Sequence, residues 1–193
     1  MKVTRTSIPD VLIVTPEVYR DARGFFVETY RKSRFEEVIG RSLDFEQDSH
    51  SASTRGVLRG LHYQVGEDAQ GKLVRVTVGE VFDAGVDLRG DSETYGEWVG
   101  VRLSAETHEQ LWLPPGFAHG FLVTSEVAEI EYKSTRAFAP ASERTLAWDD
   151  PDVAIDWPLQ GVPILSEKDA RAASFREAEP FVDRDRASDV VPG

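Results

Sequence analysis

The chain has 193 residues, no cysteine, and a formal net charge of −12, with 40% hydrophobic and 29% charged residues. That length fits one domain with a sizeable core; the absence of thiols excludes disulfides, thiolate nucleophiles and zinc–sulfur sites. An acidic surface repels nucleic-acid phosphates and favours solution over membrane, so neither nucleic acid nor bilayer is an expected partner, although a few Arg and Lys side chains can still make a cleft locally positive.

Strand signals dominate in chain order. Residues 11–15 and 24–30 are short, apolar and β-branched or aromatic. Ser33 to Ile39 reads as a helix, with Ser33 as N-cap and Gly40 just past its end. Residues 56–64 form a further strand. Between Leu73 and Leu88, alternation on both sides of Gly79-Glu80 is a hairpin pattern. Residues 97–103, 110–113, 117–124, 128–135 and 144–148 supply more strands, spaced by turn residues as in a sandwich or barrel. Ser166-Glu-Lys-Asp169 opens a short polar helix. A single domain over 1–175 is expected, followed by a charged tail over 176–193 that is loosely ordered or wrapped on the surface. No apolar run is long enough to span a bilayer and no signal peptide opens the chain, so a cytoplasmic location is expected.

Two segments stand out: Arg59-Gly60-Leu61-His62-Tyr63-Gln64, and Pro114-Pro115-Gly116-Phe117-Ala118-His119-Gly120. Two His-bearing strands of this kind suggest a small β-barrel with a pocket in its mouth. Metal-binding barrels carry two histidines one residue apart in the first segment. Here Tyr63 and Gln64 follow His62, and no metal-ligand cluster forms. A lone strand histidine is ordinarily a core residue bonded to a carbonyl. With a carboxylate orienting its second nitrogen it becomes a general base near neutral pH. Asp169 is a candidate for that carboxylate, and otherwise an exposed acid in a helical first turn. Tyr132 shares its strand face with Ile130 and should point inward, as core or as proton donor. Lys72 shares a face with Val74, Val76 and Val78, where a lysine is uncommon unless it is paired, working or snorkelling out. In a barrel mouth it would stabilise an oxyanion. Arg23 and Arg59 offer guanidinium forks for a diphosphate. Arg59 and His62 have opposite parity, which a bulge at Gly60 would resolve. Phe26 and Tyr30, with Trp112 and Trp148, read as core, and His119 as structural.

Taken together, the segments resemble the dTDP-4-dehydrorhamnose 3,5-epimerase family. They are Arg23-Gly-Phe-Phe-x-Glu28, Gln47-Asp-x-His-Ser51, Gly56-Val-Leu-Arg-Gly-Leu-His-Tyr-Gln64, Gln70-Gly-Lys-Leu-Val-Arg75, Gly79-Glu-Val-Phe-Asp83, Pro115-Gly-Phe-Ala-His-Gly-Phe121, Glu131-Tyr-Lys133 and Pro163-Ile-Leu-Ser-Glu-Lys-Asp169. In this order and spacing they are specific. The resemblance implies an all-β, cupin-like jelly-roll barrel with a few short helices. It implies His62 as base with Asp169 as its partner, Tyr132 as acid and Lys72 near the keto oxygen. Nucleotide-sugar contacts would fall to Arg23, Phe26, Glu28, Gln47, Ser49, Arg59, His119, Glu143 and Lys168. The substrate would be a dTDP-4-keto-6-deoxyhexose, with no cofactor and no metal. The site would be shared across a homodimer. Ser49 departs from the pattern, since the family commonly has Asn there; Gly85 stands where Ala is frequent. Alternatives are a monoepimerase inverting only C3 or C5, a 3,4-ketoisomerase, a metal-dependent barrel enzyme, and a non-catalytic nucleotide-sugar-binding module.

Overall fold

The computed structural model describes residues 1–182. Among them run thirteen strands: β1 Lys2–Arg5, β2 Leu12–Thr15, β3 Val18–Asp21, β4 Gly24–Val27, β5 Gln47–Thr54, β6 Leu58–Gln64, β7 Lys72–Val78, β8 Glu80–Asp87, β9 Trp98–Ser104, β10 Gln110–Leu113, β11 Phe117–Val123, β12 Val127–Ser134 and β13 Glu143–Thr145. One sheet has the order β1-β2-β10-β7-β12-β5, the other β13-β6-β11-β8-β9, and β3-β4 form a separate hairpin. The main core lies between the two sheets. Val74, Leu111 and Ile130 from the first meet Val81, Leu103, Phe121 and Val123 from the second. Two antiparallel sheets closed over one core make the cupin-like jelly roll that was expected.

The outer faces are covered too. The helix α1 Lys32–Ile39 lays Phe35 against Trp112, ring centroids 5.2 Å apart and edge-on, over the first sheet. The segment after β13 lays Leu146, Val153, Trp157 and Ala178 over the second. This double covering explains why β11 is buried along its whole length, although a one-sided strand would alternate. The chain stays on the barrel to Phe181, whose N–H donates to Leu88 O at 2.7 Å. The rest of the charged tail lies outside the described residues.

Two local expectations change, and one strand was not foreseen. Gly79 does not turn a hairpin: β7 pairs with β10 and β12, while β8 pairs with β9 and β11 in the other sheet. Gly79 has φ +74, and a Cβ there would lie 2.0 Å from Val127 O, so it serves as a tight crossing between sheets. Ser33 is not the cap of α1, because the extended residue before the helix is Arg31. Gly40 does close the helix, in the left-handed conformation at φ 71. Finally, β5 reads Gln-Asp-Ser-His-Ser-Ala-Ser-Thr and carries no apolar alternation, yet it pairs with β12 over its full length.

The irregularity at Gly60 positions the rest. On β11, His119 pairs with His62 and Phe121 with Arg59, so β6 uses one residue more than its partner between the two pairs. The bulge turns Arg59 and His62 to the same face, as the sequence required. It needs glycine. Gly60 has φ +120, and a Cβ there would sit 2.6 Å from Gly120 Cα and 2.7 Å from His119 O. Gly60→Ala is expected to cost about 3 kcal/mol, combining clash with strain. Gly56→Ala, at φ +79 in open space, should cost about 1 kcal/mol. Denaturant unfolding compares them, and equal losses would show that the close approach is not what demands glycine at 60.

Candidate active site

The mouth of the barrel is built from facing strands of the two sheets. On one wall, β6 presents His62, whose Nε2 lies 2.6 Å from Asp169 Oδ1. Asp169 opens a 3₁₀ turn, Asp169–Arg171, and its side chain is only 3% exposed. Burial pushes its carboxyl up. The His62 ring, with the Ser166 hydroxyl and the Gly60 N–H, outweighs that and holds it below the usual carboxylate value. Asp169 therefore stays an anion and fixes a proton on the nitrogen it faces. The other ring nitrogen keeps its lone pair, which is what a general base needs.

The opposite wall comes from β7 and β12. Lys72 is 8% exposed, so it does not snorkel out. Its Nζ lies 3.4 Å from His62 O and 6.0 Å from the centre of the Tyr132 ring. Burial pushes the ammonium down to about 8, against the pull of Asp83 and Glu143. Tyr132 packs against the core beside the fully buried Ile130, as its parity predicts. His62, Lys72, Tyr132, Gln47, Glu143 and Phe138 line one pocket of about 140 Å³. A larger hollow of about 350 Å³ lies on the outward face of the first sheet, floored by Leu73, Arg75, Glu131 and Lys133. It shares Tyr132 but lacks His62 and Lys72, so the candidate acid–base groups gather in the smaller pocket.

The other candidates divide. Lys168 Nζ pairs with Glu143 Oε1 at 2.7 Å beside the pocket. Gln47 Nε2 donates to Ser49 Oγ at 2.9 Å. Arg59 Nε donates to Ser53 Oγ at 3.0 Å on β5, in the other sheet. His119 is buried next to His62 and bonded to Asp83. Arg23, Phe26 and Glu28 are not brought to His62 within this chain. Arg23 lies on the β3–β4 turn, 90% exposed and paired with Asp21. Phe26 is 68% exposed, so it is not the core residue that its side chain suggested. Glu28 pairs with Arg31 and Arg34. Among the described residues no three His, Cys, Asp or Glu side chains converge as a metal site.

Three residues of the site carry no sequence signal of their own. Asp83 is fully buried on β8, its carboxylate 3.0 and 3.1 Å from His119 Nε2. Phe138 sits in a loop of the pocket wall, where periodicity says nothing. Gln64 is buried at the end of β6 and spends its amide on the backbone of that loop.

Fold and site together define a cupin-like barrel whose mouth holds acid–base groups. The family model for dTDP-4-dehydrorhamnose 3,5-epimerase matches residues 5–177. A dTDP-4-dehydrorhamnose 3,5-epimerase of Pseudomonas aeruginosa is 58% identical over 181 residues, covering 94% of this chain and 99% of the relative. The structure of an epimerase from Legionella pneumophila in complex with dTDP-4-keto-L-rhamnose is 48% identical, with a TM-score of 0.89 over 92% of this chain and 94% of that one. A dTDP-4-dehydrorhamnose 3-epimerase of Streptomyces niveus is 41% identical, covering 92% of this chain and 86% of the relative. The chain belongs to the dTDP-4-dehydrorhamnose 3,5-epimerase family. Among the described residues no helix is long and apolar enough to cross a membrane.

The buried His119–Asp83 pair allows a direct test. Asp83→Ala leaves His119 Nε2 without its acceptor and should cost about 3 kcal/mol. Asp83→Asn keeps an acceptor oxygen and should cost about 1 kcal/mol. Urea unfolding at neutral pH measures both, and an Ala variant as stable as the parent would remove the pair from the scaffold.

Proposed function

We propose that this chain inverts C3 and then C5 of a dTDP-4-keto-6-deoxyhexose, converting dTDP-4-dehydro-6-deoxyglucose to dTDP-4-dehydro-L-rhamnose. One observation carries the reading. His62 and Tyr132 reach the same pocket from opposing sheets. Inversion needs a proton removed from one face of a carbon and returned to the other, so a base and an acid on opposite walls suit it.

The C4 ketone acidifies the hydrogens on the adjacent carbons. His62 takes the C3 proton, and the bonding pair moves into a C3–C4 double bond while charge gathers on the C4 oxygen. The Lys72 ammonium lies between the two walls and stabilises that oxyanion. Tyr132 then delivers its phenol proton to the other face of C3. Solvent resets both groups, and C5 follows after the sugar pivots. No redox or metal step is needed for this sequence. Arg59 and Lys168 suit the diphosphate, and the flat, half-exposed ring of Phe138 suits the base. Arg23, Phe26 and Glu28 would act across a homodimer, the exposed β3–β4 hairpin of one copy reaching the mouth of the other. The exposed rings of Tyr19, Phe25 and Phe26 on that hairpin support this.

Two outcomes follow from the catalytic groups. His62→Ala should lower kcat by about 10²–10⁴-fold while dTDP still binds, since the base is not a nucleotide contact. Turnover within a few-fold of the parent would overturn the assignment. Turnover should also fall as pH rises through about 8, where Lys72 loses its proton. Lys72→Met should be slow throughout and lack that limb; a limb that persists in Lys72→Met belongs to another group.

The number of inverted centres is read in heavy water by NMR. Deuterium is expected at C3 first and then at C5. Deuterium held at one carbon through many turnovers would favour the monoepimerase reading, for which the Streptomyces niveus 3-epimerase is the precedent.

A further inference from the structure

Three consecutive backbone N–H groups at the lip of the pocket are each held by a side chain from the barrel. Ala137 N–H donates to Glu46 Oε2 at 3.2 Å, Phe138 N–H to Gln47 Oε1 at 2.8 Å, and Ala139 N–H to Gln64 Oε1 at 2.8 Å. Gln64 Nε2 also donates back to Ala137 O at 3.2 Å and to Asp68 O at 2.7 Å, which satisfies its amide completely. A surface loop of Ala-Phe-Ala-Pro has little packing of its own to set its shape. Here its shape is set by acceptors on β5, on β6 and on Glu46 just before β5. The loop carries Phe138, 52% exposed and lining the pocket.

Gln47 is held in turn. A carboxamide can flip end for end, and only one orientation offers its oxygen to Phe138. The Phe138 N–H can only donate and so fixes that orientation, and the Ser49 hydroxyl anchors the amide in it by accepting from Gln47 Nε2 at 2.9 Å. Ser49 and Gln47 are two residues apart on β5, so both point inward from the same strand face. The opposite rungs on β12 are Tyr132 for Ser49 and Ser134 for Gln47.

We infer that Ser49 is a positioning residue for ligand binding, acting through Gln47 on the Phe138 loop rather than by touching the substrate. The inference rests on the proposed nucleotide-sugar reading, because it assigns the Phe138 ring to the ligand. It gives the departure from Asn at this position a physical content. A hydroxyl can accept from the Gln47 amide in the way an amide oxygen can, on a smaller side chain. One Gln47 amide hydrogen is left uncommitted for the ligand.

The experiment measures dTDP affinity by calorimetry together with turnover, on the full chain. Ser49→Ala should weaken dTDP binding about five-fold, the worth of one neutral hydrogen bond. The loss should fall on KM rather than on kcat. Ser49→Thr keeps the hydroxyl and should restore affinity. In a Phe138→Ala background Ser49→Ala should have almost no further effect, since the two changes cut one chain of contacts. Three results would overturn the inference: unchanged affinity in Ser49→Ala, equal losses with and without Phe138, or a loss confined to kcat. A parent protein that binds no dTDP at all would instead sink the functional reading on which the inference stands.

Discussion

At Gly60 and Gly120 two backbones come closer than any side chain would permit. A Cβ on either residue would lie within 2.7 Å of backbone atoms of the other strand. That approach bulges β6, and the bulge does three things for the mouth of the barrel. It turns Arg59 to the face that carries His62. It aims the Gly60 N–H at the Asp169 carboxylate. It keeps His62 in register with His119, so that the two imidazoles stand side by side, each with its own buried acid. Remove the close approach and Arg59 would face away from the histidine three residues on.

A chain with a net charge of −12 buries Lys72 in the candidate pocket. Its acids there are already committed: Asp169 to His62, Asp83 to His119 and Glu143 to Lys168. Each acid has a hydrogen-bond partner, and Glu143 is paired with the full positive charge of Lys168. The lysine is left partly desolvated, close to its titration point, and therefore responsive to charge developing on a nearby oxygen.

Much of the barrel was legible because its inner strands obey a period of two. Val74 and Val76 identify the buried face of β7, and the same parity places Lys72 among them. Ile130 does the same for Tyr132. The bulge at Gly60 was legible as one way to resolve the opposite parity of Arg59 and His62. Strand β5 was not legible. Its inner face is Gln47, Ser49, Ser51 and Ser53, and small polar groups in a pocket wall leave no hydrophobic pattern to follow. The Gly79 turn misled for a different reason. Alternation on both sides of a glycine is equally compatible with a hairpin and with a crossing between sheets. Which one forms depends on partners far away in the chain.

The sequence by itself determined the fold class, the inward faces of the strands, and the short set of residues able to move protons. The strands and their inward faces follow from side-chain periodicity; the jelly roll and the roles of His62, Asp169, Tyr132 and Lys72 are what the resemblance of its motifs to a known family implies. Tertiary structure alone decided which groups meet. Asp169 reaches His62 across more than a hundred residues, and Tyr132 faces it from the other sheet. Asp83, silent in the sequence, proves to hold His119, and Phe138 is set on a loop that three distant side chains shape. Contacts of that kind depend on how two sheets close over a common core, and local pattern carries no information about the distance between them.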